Sequence, residues 1–497
     1  MKSLTRDGRA PTLVAMVACA ECGFDSTDTA FCDRCGRAFA SVVRPASAES
    51  ALAAIPEGFA RLSDRFRQPA IEWTEALLVA EALVAALEPI HREGRVHARL
   101  DPHEIAEGPA REMRLLRVND LSPNGTLANG RVVVPGYSAP EVFGRGAGRL
   151  VPATDVFSIG AILWRLVTGR DPFSDFDDLS LAYPSPRLVA SVPFELDSFV
   201  ARSVALLAQE RFQSLDDFRV ALRRTRARVY AREHGTAATR LEAASATDIG
   251  RAKGAAHPVN QDAIICDAGA DGSLFAAIDG VTHADVGSGG AAAAITREVL
   301  VSRREWPVVA RLSVANAAVV EATKVLAPSY DGDPSGIMGA VVVAAEWRVG
   351  ILSLAWLGDA RVYLLRDGDL VQLTIDHDAA TDALRSGASP KLARELSAGG
   401  RLTRAVGAAV RDDAGHLVAA DVSPDALDVK LLPGDRVVLT TDGIPDWISS
   451  DERRSAPSIA AILAEAPSPD AAARRLVDAA NEGGGGDNLS CIVLFAF

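Results

Sequence analysis

Two sets of residues in this sequence have the types and spacing of chemistry. The first is a series of aspartates at the ends of strand-like runs. SLFAAI leads into Asp279-Gly280, ILSLAWL into Gly358-Asp359 and RVVLTT into Asp442-Gly443, whereas Asp262 precedes AIIC and Gly486-Asp487-Asn488 precedes LSCIVLFAF. A single Asp-Gly reads as a turn, and Asp367-Gly368 inside VYLLRDGDLVQL is such a hairpin turn. Carboxylates at the ends of several strands are different, because one sheet rim aims them at a common point. Hard oxygen ligands gathered there suit Mg2+ or Mn2+ rather than zinc. The second set is Cys19, Cys22, Cys32 and Cys35 in CAECGFDSTDTAFCDRCGRAF, two C-x2-C pairs with nine residues between them. Each pair turns two thiolates toward one tetrahedral ion, and Gly23 and Gly36 follow where the knuckle needs a positive φ. Disulfides and free thiols are the alternatives. Four thiolates close a metal site, so zinc there is structural or protein-binding rather than catalytic.

The elements that must position these residues come from a chain of 497 residues, 48% hydrophobic and 24% charged. That is the balance of a folded, multidomain protein. The formal net charge of -13 argues against nucleic-acid binding and against a polybasic grip on membranes. No apolar run reaches the length of a transmembrane helix. The N-terminal run PTLVAMVACA imitates a lipoprotein signal ending at Cys19, but that cysteine has the better use above. Cys266 and Cys491 lie alone in apolar strand-like runs and are expected as buried free thiols, which together with the metal-type cluster points to the cytoplasm. The expected order is a flexible N-terminus over 1–18, a metal module over 19–40, a mostly helical domain over 55–235 and a larger mixed domain over 240–497. The arginine-rich run ALRRTRARVYAREHG between the last two reads as a solvated helix face.

The cysteine segment resembles a zinc ribbon holding one structural Zn2+. The helical domain resembles the C-terminal lobe of a protein kinase. Its apolar helical stripe Trp73, Ala76, Leu77, Ala80, Leu83, Val84, Leu87 and Ile90 is followed by IHREGRVHARLDPHEI, VNDLS, GYSAPEVF, DVFSIGAILWRLVTGRDPF and QERFQSLDDF, in the family's order. The catalytic positions are altered. The family's base aspartate falls on Arg99, its lysine on Asp101 and its metal-binding asparagine on Glu104, while Leu121 and Ser122 follow Asp120. Too few residues precede the lobe for a nucleotide-covering strand lobe, and phosphoryl transfer needs phosphates, metal and base together. What the resemblance retains is scaffold: Glu141 and Arg211 as a buried ion pair, and Asp155 as a loop-bracing carboxylate. The expectation is a catalytically silent, truncated pseudokinase lobe that docks or regulates.

The last 250 or so residues resemble the metal-dependent serine/threonine protein phosphatases of type 2C, through TDIGRAKGAAHPVNQDAII, FAAIDGV, LAWLGDARVYLLRDGDLVQLTIDH, RLTRAVG, GDRVVLTTDGIPDWI and GDNLSCIVL. The resemblance implies an α+β four-layer sandwich, two antiparallel sheets flanked by helices. It implies two Mn2+ or Mg2+ ions: Asp279 bridging both with help from the Gly280 carbonyl, Asp262 on one, Asp442 and Asp487 on the other, and Asp359 at a third-ion position or bracing the rim. A hydroxide bridging the ions would attack the phosphorus of phosphoserine or phosphothreonine. Three departures stand out. Gln261 replaces the usual acid before the first aspartate; His257 stands where the phosphate-gripping arginine belongs, with Lys253 as a second cation; and VTHADVGSGG leaves the general acid unassigned, with His283 the candidate. The reading is a phosphoprotein phosphatase, with phosphorylated proteins and a cognate kinase as partners. The alternative is a pseudoenzyme scaffold in which both domains only bind signalling partners.

Overall fold

The computed structural model describes residues 17–18, 25–26, 54–67, 69–118, 121–128, 133–143, 148–171, 183–269, 273–281, 284–397, 400–449 and 452–497. The four clustered cysteines, Asp120 and His283 lie outside the described residues. The chain forms two compact units: residues 1–192, 199–223 and 389–391, and residues 193–198, 224–388 and 392–497.

In the first unit the helix Trp73–Arg92 buries Ala76, Leu77, Val79, Ala80, Leu83, Val84, Leu87 and Ile90, a helical repeat of one face, and stops before Gly94, whose φ is 68°. The helix Pro152–Thr168 is buried along its whole length. Asp155 in its first turn is fully buried and accepts the backbone N–H groups of His97 (2.8 Å) and Ala98 (2.6 Å), with His91 Nε2 2.8 Å away. These bonds fix a loop in which Ala98 sits at φ 56°. Glu141 receives a two-pronged grip from Arg211, at 2.8 and 2.9 Å, and Arg211 is itself buried. Arg99 is buried 3.8 Å from Glu104, which also lies 2.8 Å from Arg117.

The second unit is built on two five-stranded antiparallel sheets. The strands of these two sheets are β1 (Leu241–Asp248), β2 (Ala263–Asp267), β3 (Ser273–Gly280), β4 (Ala340–Arg348), β5 (Ile351–Leu357), β6 (Arg361–Arg366), β7 (Asp369–Gln372), β8 (Asp425–Lys430), β9 (Arg436–Thr440) and β10 (Leu489–Ala496). One sheet runs β8-β5-β4-β3-β2 and the other β7-β6-β9-β10-β1. Alternation sorts each strand between two layers. Phe275, Ala277, Leu354, Trp356, Val362, Leu364, Val437, Leu439, Ile492 and Leu494 meet between the sheets. Leu274, Ala276 and Ile278 face the helices Gly289–Ser302 and Val308–Leu326, while Val438, Cys491 and Val493 face Glu452–Glu465 and Pro469–Glu482. The result is the expected four layers, helices–sheet–sheet–helices. The β6–β7 hairpin turns on Asp367 (φ 50°) and Gly368 (φ 81°), the positive pair a two-residue turn requires. One expectation is corrected: Cys491 is buried but Cys266 is exposed, because β2 is an edge strand.

The border between the units departs from a cut at residues 235–240, and the reason is packing. Phe194 is buried in the inter-sheet core with Ala238, Val429 and Leu431, under the Arg232 guanidinium 5.0 Å from its ring centre. Next to it Glu195 is buried 2.9 Å from Arg232 Nε, and Arg366 holds Asp435 at 2.8 and 2.5 Å. Burial raises the Glu195 carboxyl above its ordinary range against the pull of Arg232 and Arg366. Phe194→Ala should therefore lower the stability of the second unit by about 3–5 kcal/mol, the cost of a phenylalanine-sized core cavity. Thermal melting of full-length protein tests this; a melting point unmoved by the substitution would remove Phe194 from the core.

Candidate active site

Strand parity carries the aspartates to one end of the sandwich. Phe275 and Ala277 of β3 face the inter-sheet core, so Asp279, two residues further on, belongs to the same face at the strand's end. The β2–β3 pairing has Ile278 opposite Ala263, and continuing the register sets Asp262 across from Asp279. In the other sheet Arg361 pairs with Thr440, and the same continuation sets Asp359 across from Asp442. Asp487 stands two residues ahead of β10. Gly280 is packed so tightly that a β-carbon there would lie 2.3 Å from the Gly289 carbonyl carbon and 2.7 Å from the Gln261 oxygen. Only glycine lets β3 reach the rim at this point.

Hydrogen bonds stitch the two sheets together at this end. Asp262 Oδ2 accepts from Thr441 Oγ1 (3.1 Å), and the Asp262 N–H donates to Asn260 Oδ1 (2.9 Å). Buried Asn488 accepts the Gln261 N–H at 2.9 Å and donates to the Ile249 carbonyl at 2.9 Å, so one side chain spans β10, β1 and the start of β2. Its own N–H donates to Asp487 Oδ1 (2.7 Å). Gly358 is fixed from below. Its N–H donates to Nδ1 of fully buried His377 (3.2 Å), its carbonyl accepts the His377 N–H (3.0 Å), and His377 Nε2 faces Asp425 Oδ2 at 3.2 Å. Arg361 clasps Asp376 at 2.9 and 2.7 Å beside Asp359.

Electrostatically the rim is strained. Asp279 and Asp442 are pushed well above the ordinary carboxyl range, first by burial and then by neighbouring carboxylates: Asp262, Asp487 and Asp359 around Asp279, and Asp279, Asp359, Asp446 and Asp487 around Asp442. Burial lifts Asp262 and Asp359 to about 6, with Arg361 opposing the rise at Asp359. Buried Asp262 Oδ1, Asp442 Oδ1 and Gln261 Oε1 have no hydrogen-bond donor among the described residues. Orphaned anionic oxygens in an all-oxygen donor set fit a hard divalent cation. Among the described residues no three acidic, His or Cys side chains draw close enough to enclose an ion. The rim is an array of carboxylates within electrostatic range of one another.

Of the residues singled out from sequence, Asp262, Asp279, Gly280, Asp359, Asp442 and Asp487 come to this rim. Lys253 reaches it too, its Nζ pairing with Asp487 Oδ1. His257 is exposed at the C-terminal end of the short helix Arg251–Ala256. Sequence reasoning assigned no role to Asn260, Asn488, Thr441 or His377. Their signal was position alone: a small polar residue directly beside a strand-end aspartate, and the histidine of TIDH.

Residues 255–489 match the model of the family described as Protein phosphatase 2C, so this half of the chain carries a protein phosphatase 2C domain. Over 184 residues, 37% of the chain and 32% of the relative, it is 29% identical to the serine/threonine protein phosphatase PstP of Mycobacterium tuberculosis. Over 182 residues, 33% of the chain and 32% of the relative, it is 30% identical to the serine/threonine-protein kinase PksC of Streptomyces coelicolor. The chain thus spans about a third of the length of these curated relatives. The crystal structure of the catalytic domain of PstP in complex with 2 manganese ions is 27% identical, covering 51% of this chain and 97% of that chain with a TM-score of 0.38.

The raised carboxyls set a pH dependence. A carboxyl whose folded pKa exceeds its unfolded value stabilises the fold fully below the unfolded pKa, and that contribution drains away as pH rises through the folded value. For Asp262 and Asp359 the window runs from 3.8 to about 6. In chelator, the melting temperature of Asp279→Asn should exceed that of the unaltered protein by a margin that grows across this window, since a neutral amide removes one member of the repelling group. A margin that is zero or shrinks with pH would contradict the crowded-carboxylate description.

Proposed function

We propose that the protein hydrolyses phosphoserine and phosphothreonine in other proteins, using divalent cations held by the aspartate rim. The observation that carries this reading is the pair of buried carboxylate oxygens, Asp262 Oδ1 and Asp442 Oδ1, that have no hydrogen-bond donor among the described residues. Asp262 and Asp279 would hold one ion with the Gly280 carbonyl, and Asp279, Asp442 and Asp487 the other, with Asp359 at a third position. Such ions supply Lewis acidity, lowering the pKa of water and offsetting negative charge on a phosphoryl group. The remaining work belongs to the chain itself. Thr441 and Asn260 fix the rotamer and backbone of Asp262, and Asn488 keeps Asp487 in register with the opposite sheet. Lys253, already at Asp487, is the cation best situated to grip phosphoryl oxygens; His257, exposed on the adjoining loop, is the second candidate. Gln261 contributes a neutral amide where an acid is usual, and its buried Oε1 has no hydrogen-bond partner among the described residues.

The family match over residues 255–489 and the likeness to PstP support this reading, and PstP's two manganese ions recommend Mn2+ for the assay. With Mn2+, full-length protein should release phosphate from a phosphothreonine peptide. Asp279→Asn and Asp442→Asn should each lower the rate at least ~10²-fold, as the loss of one transition-state charge contact does. Undiminished turnover by either folded variant would leave the pseudoenzyme scaffold as the better account.

The first unit is read as a silent kinase-like lobe that docks a partner or restrains the phosphatase, and residues 19–40 as a zinc ribbon. The likeness to PksC, the Glu141–Arg211 pair and the buried Arg99, a fixed cation where a base would stand, support the former. The four-cysteine spacing supports the latter. Among the described residues no helix is long and apolar enough to cross a membrane. Purified full-length chain should hold one zinc by elemental analysis and transfer no phosphate from ATP. A zinc-free protein would refute the ribbon, and autophosphorylation surviving Asp120→Ala would refute the silent lobe.

A further inference from the structure

Beside the aspartate rim opens a cleft of about 500 Å3 whose walls include Asp248, Gly250, Arg251, Gly254, Pro258 and Asn481. Most of its polar groups are spent on one another. Asp248 Oδ1 accepts from the Gly250 N–H (2.9 Å) and Asn481 Nδ2 (3.1 Å), while Asn481 Oδ1 accepts the Arg251 N–H (2.8 Å). The Arg251 guanidinium is the exception: the residue is exposed, and no carboxylate pairs with it among the described residues. The cleft and the rim share a wall. Gly250, at φ 82°, lies so near the Asp487 carbonyl that a β-carbon would fall 2.0 Å from its oxygen. The Gly485 carbonyl receives the N–H groups of Ala252 (2.9 Å) and Lys253 (3.1 Å), and Lys253 in turn pairs with Asp487. Gly254 and Pro258 contribute no side-chain polar groups.

We infer that this cleft receives the polypeptide flanking the phosphorylated residue, and that Arg251 pairs there with an aspartate or glutamate of the substrate. The inference rests on the phosphatase reading and narrows it to phosphoproteins with acidic residues beside the phosphosite. The chain as a whole carries a net charge of -13, so an acidic partner is repelled in general and attracted at an uncompensated cation in the cleft. Lys253 lies at Asp487 on the rim, where it is assigned to the phosphoryl group, so discrimination between flanking sequences falls to Arg251.

The test uses full-length protein with Mn2+ and three phosphothreonine peptides flanked on both sides by Glu, Ala or Lys. The Glu peptide should exceed the Ala peptide about three- to fivefold in kcat/KM, carried by KM, the scale of a partly exposed ion pair. In Arg251→Glu the order should invert toward the Lys peptide, with melting temperature confirming the fold. Equal kcat/KM for the three peptides, or an acidic preference that survives Arg251→Glu, overturns the inference while leaving the phosphatase standing. If the unaltered chain hydrolyses neither the peptides nor p-nitrophenyl phosphate, the phosphatase reading fails and takes this one with it.

Discussion

Mutual repulsion among the rim carboxylates is the constraint to which the rest of the second unit answers. Asp279 and Asp442 are half-buried among other acids, and each would be more comfortable in water or apart. Holding them together is a job for a scaffold that cannot relax, and two stacked antiparallel sheets are suited to it. Strand register sets Asp262 against Asp279 and Asp359 against Asp442, so separating either pair means breaking a ladder of backbone hydrogen bonds. The inter-sheet core then fixes one pair relative to the other. This is the economy of a site built on strand ends: the repulsion is distributed over the whole sandwich instead of being borne by a loop.

The polar groups around the rim make sense in the same terms. Thr441 and Asn488 cross between sheets, so neither sheet can slide without losing buried hydrogen bonds. His377 is locked by both backbone groups of Gly358 and faces Asp425, which is held well below the usual carboxylate range: burial pushes it up, but the hydrogen bonds and charges of His377 and Arg385 outweigh that. The unit thus keeps two kinds of aspartate. Some are neutralised by cations of the protein and serve as struts; at the rim Asp487 holds Lys253, while Asp262, Asp279 and Asp442 pair with no cation among the described residues.

Much of this was legible in the sequence. Apolar strand-like runs ending in Asp marked the strands and pointed to a shared rim, because carboxylates at several strand ends can be aimed at one point. The helix from Trp73 and the Asp367-Gly368 hairpin were equally visible, since both are local. What escaped was non-local. Nothing near Phe194 marks it as a member of a core made from strands that begin at Leu241, and a helical segment carries no sign of which unit it will join. The attachment of Lys253 to Asp487 joins positions 234 apart in sequence and depends on Gly250 accepting a conformation that the sequence permits but does not announce. Cys266 sits in an apolar run like Cys491, and only strand order reveals that one strand is an edge.

Phe194 has a consequence for how the chain is made. It leaves the ribosome ahead of every strand it will pack against, and β1 must likewise wait for β10, its neighbour in the finished sheet. During synthesis, then, an aromatic side chain and an unpaired strand stay exposed until the last strand arrives. Long-range pairing of this kind folds slowly and invites wrong partners in the interval. A nascent chain arrested before β10 would present these surfaces to whatever holdase or neighbouring chain is at hand, so the tempo of translation bears on the yield of this protein as directly as any contact in its finished core.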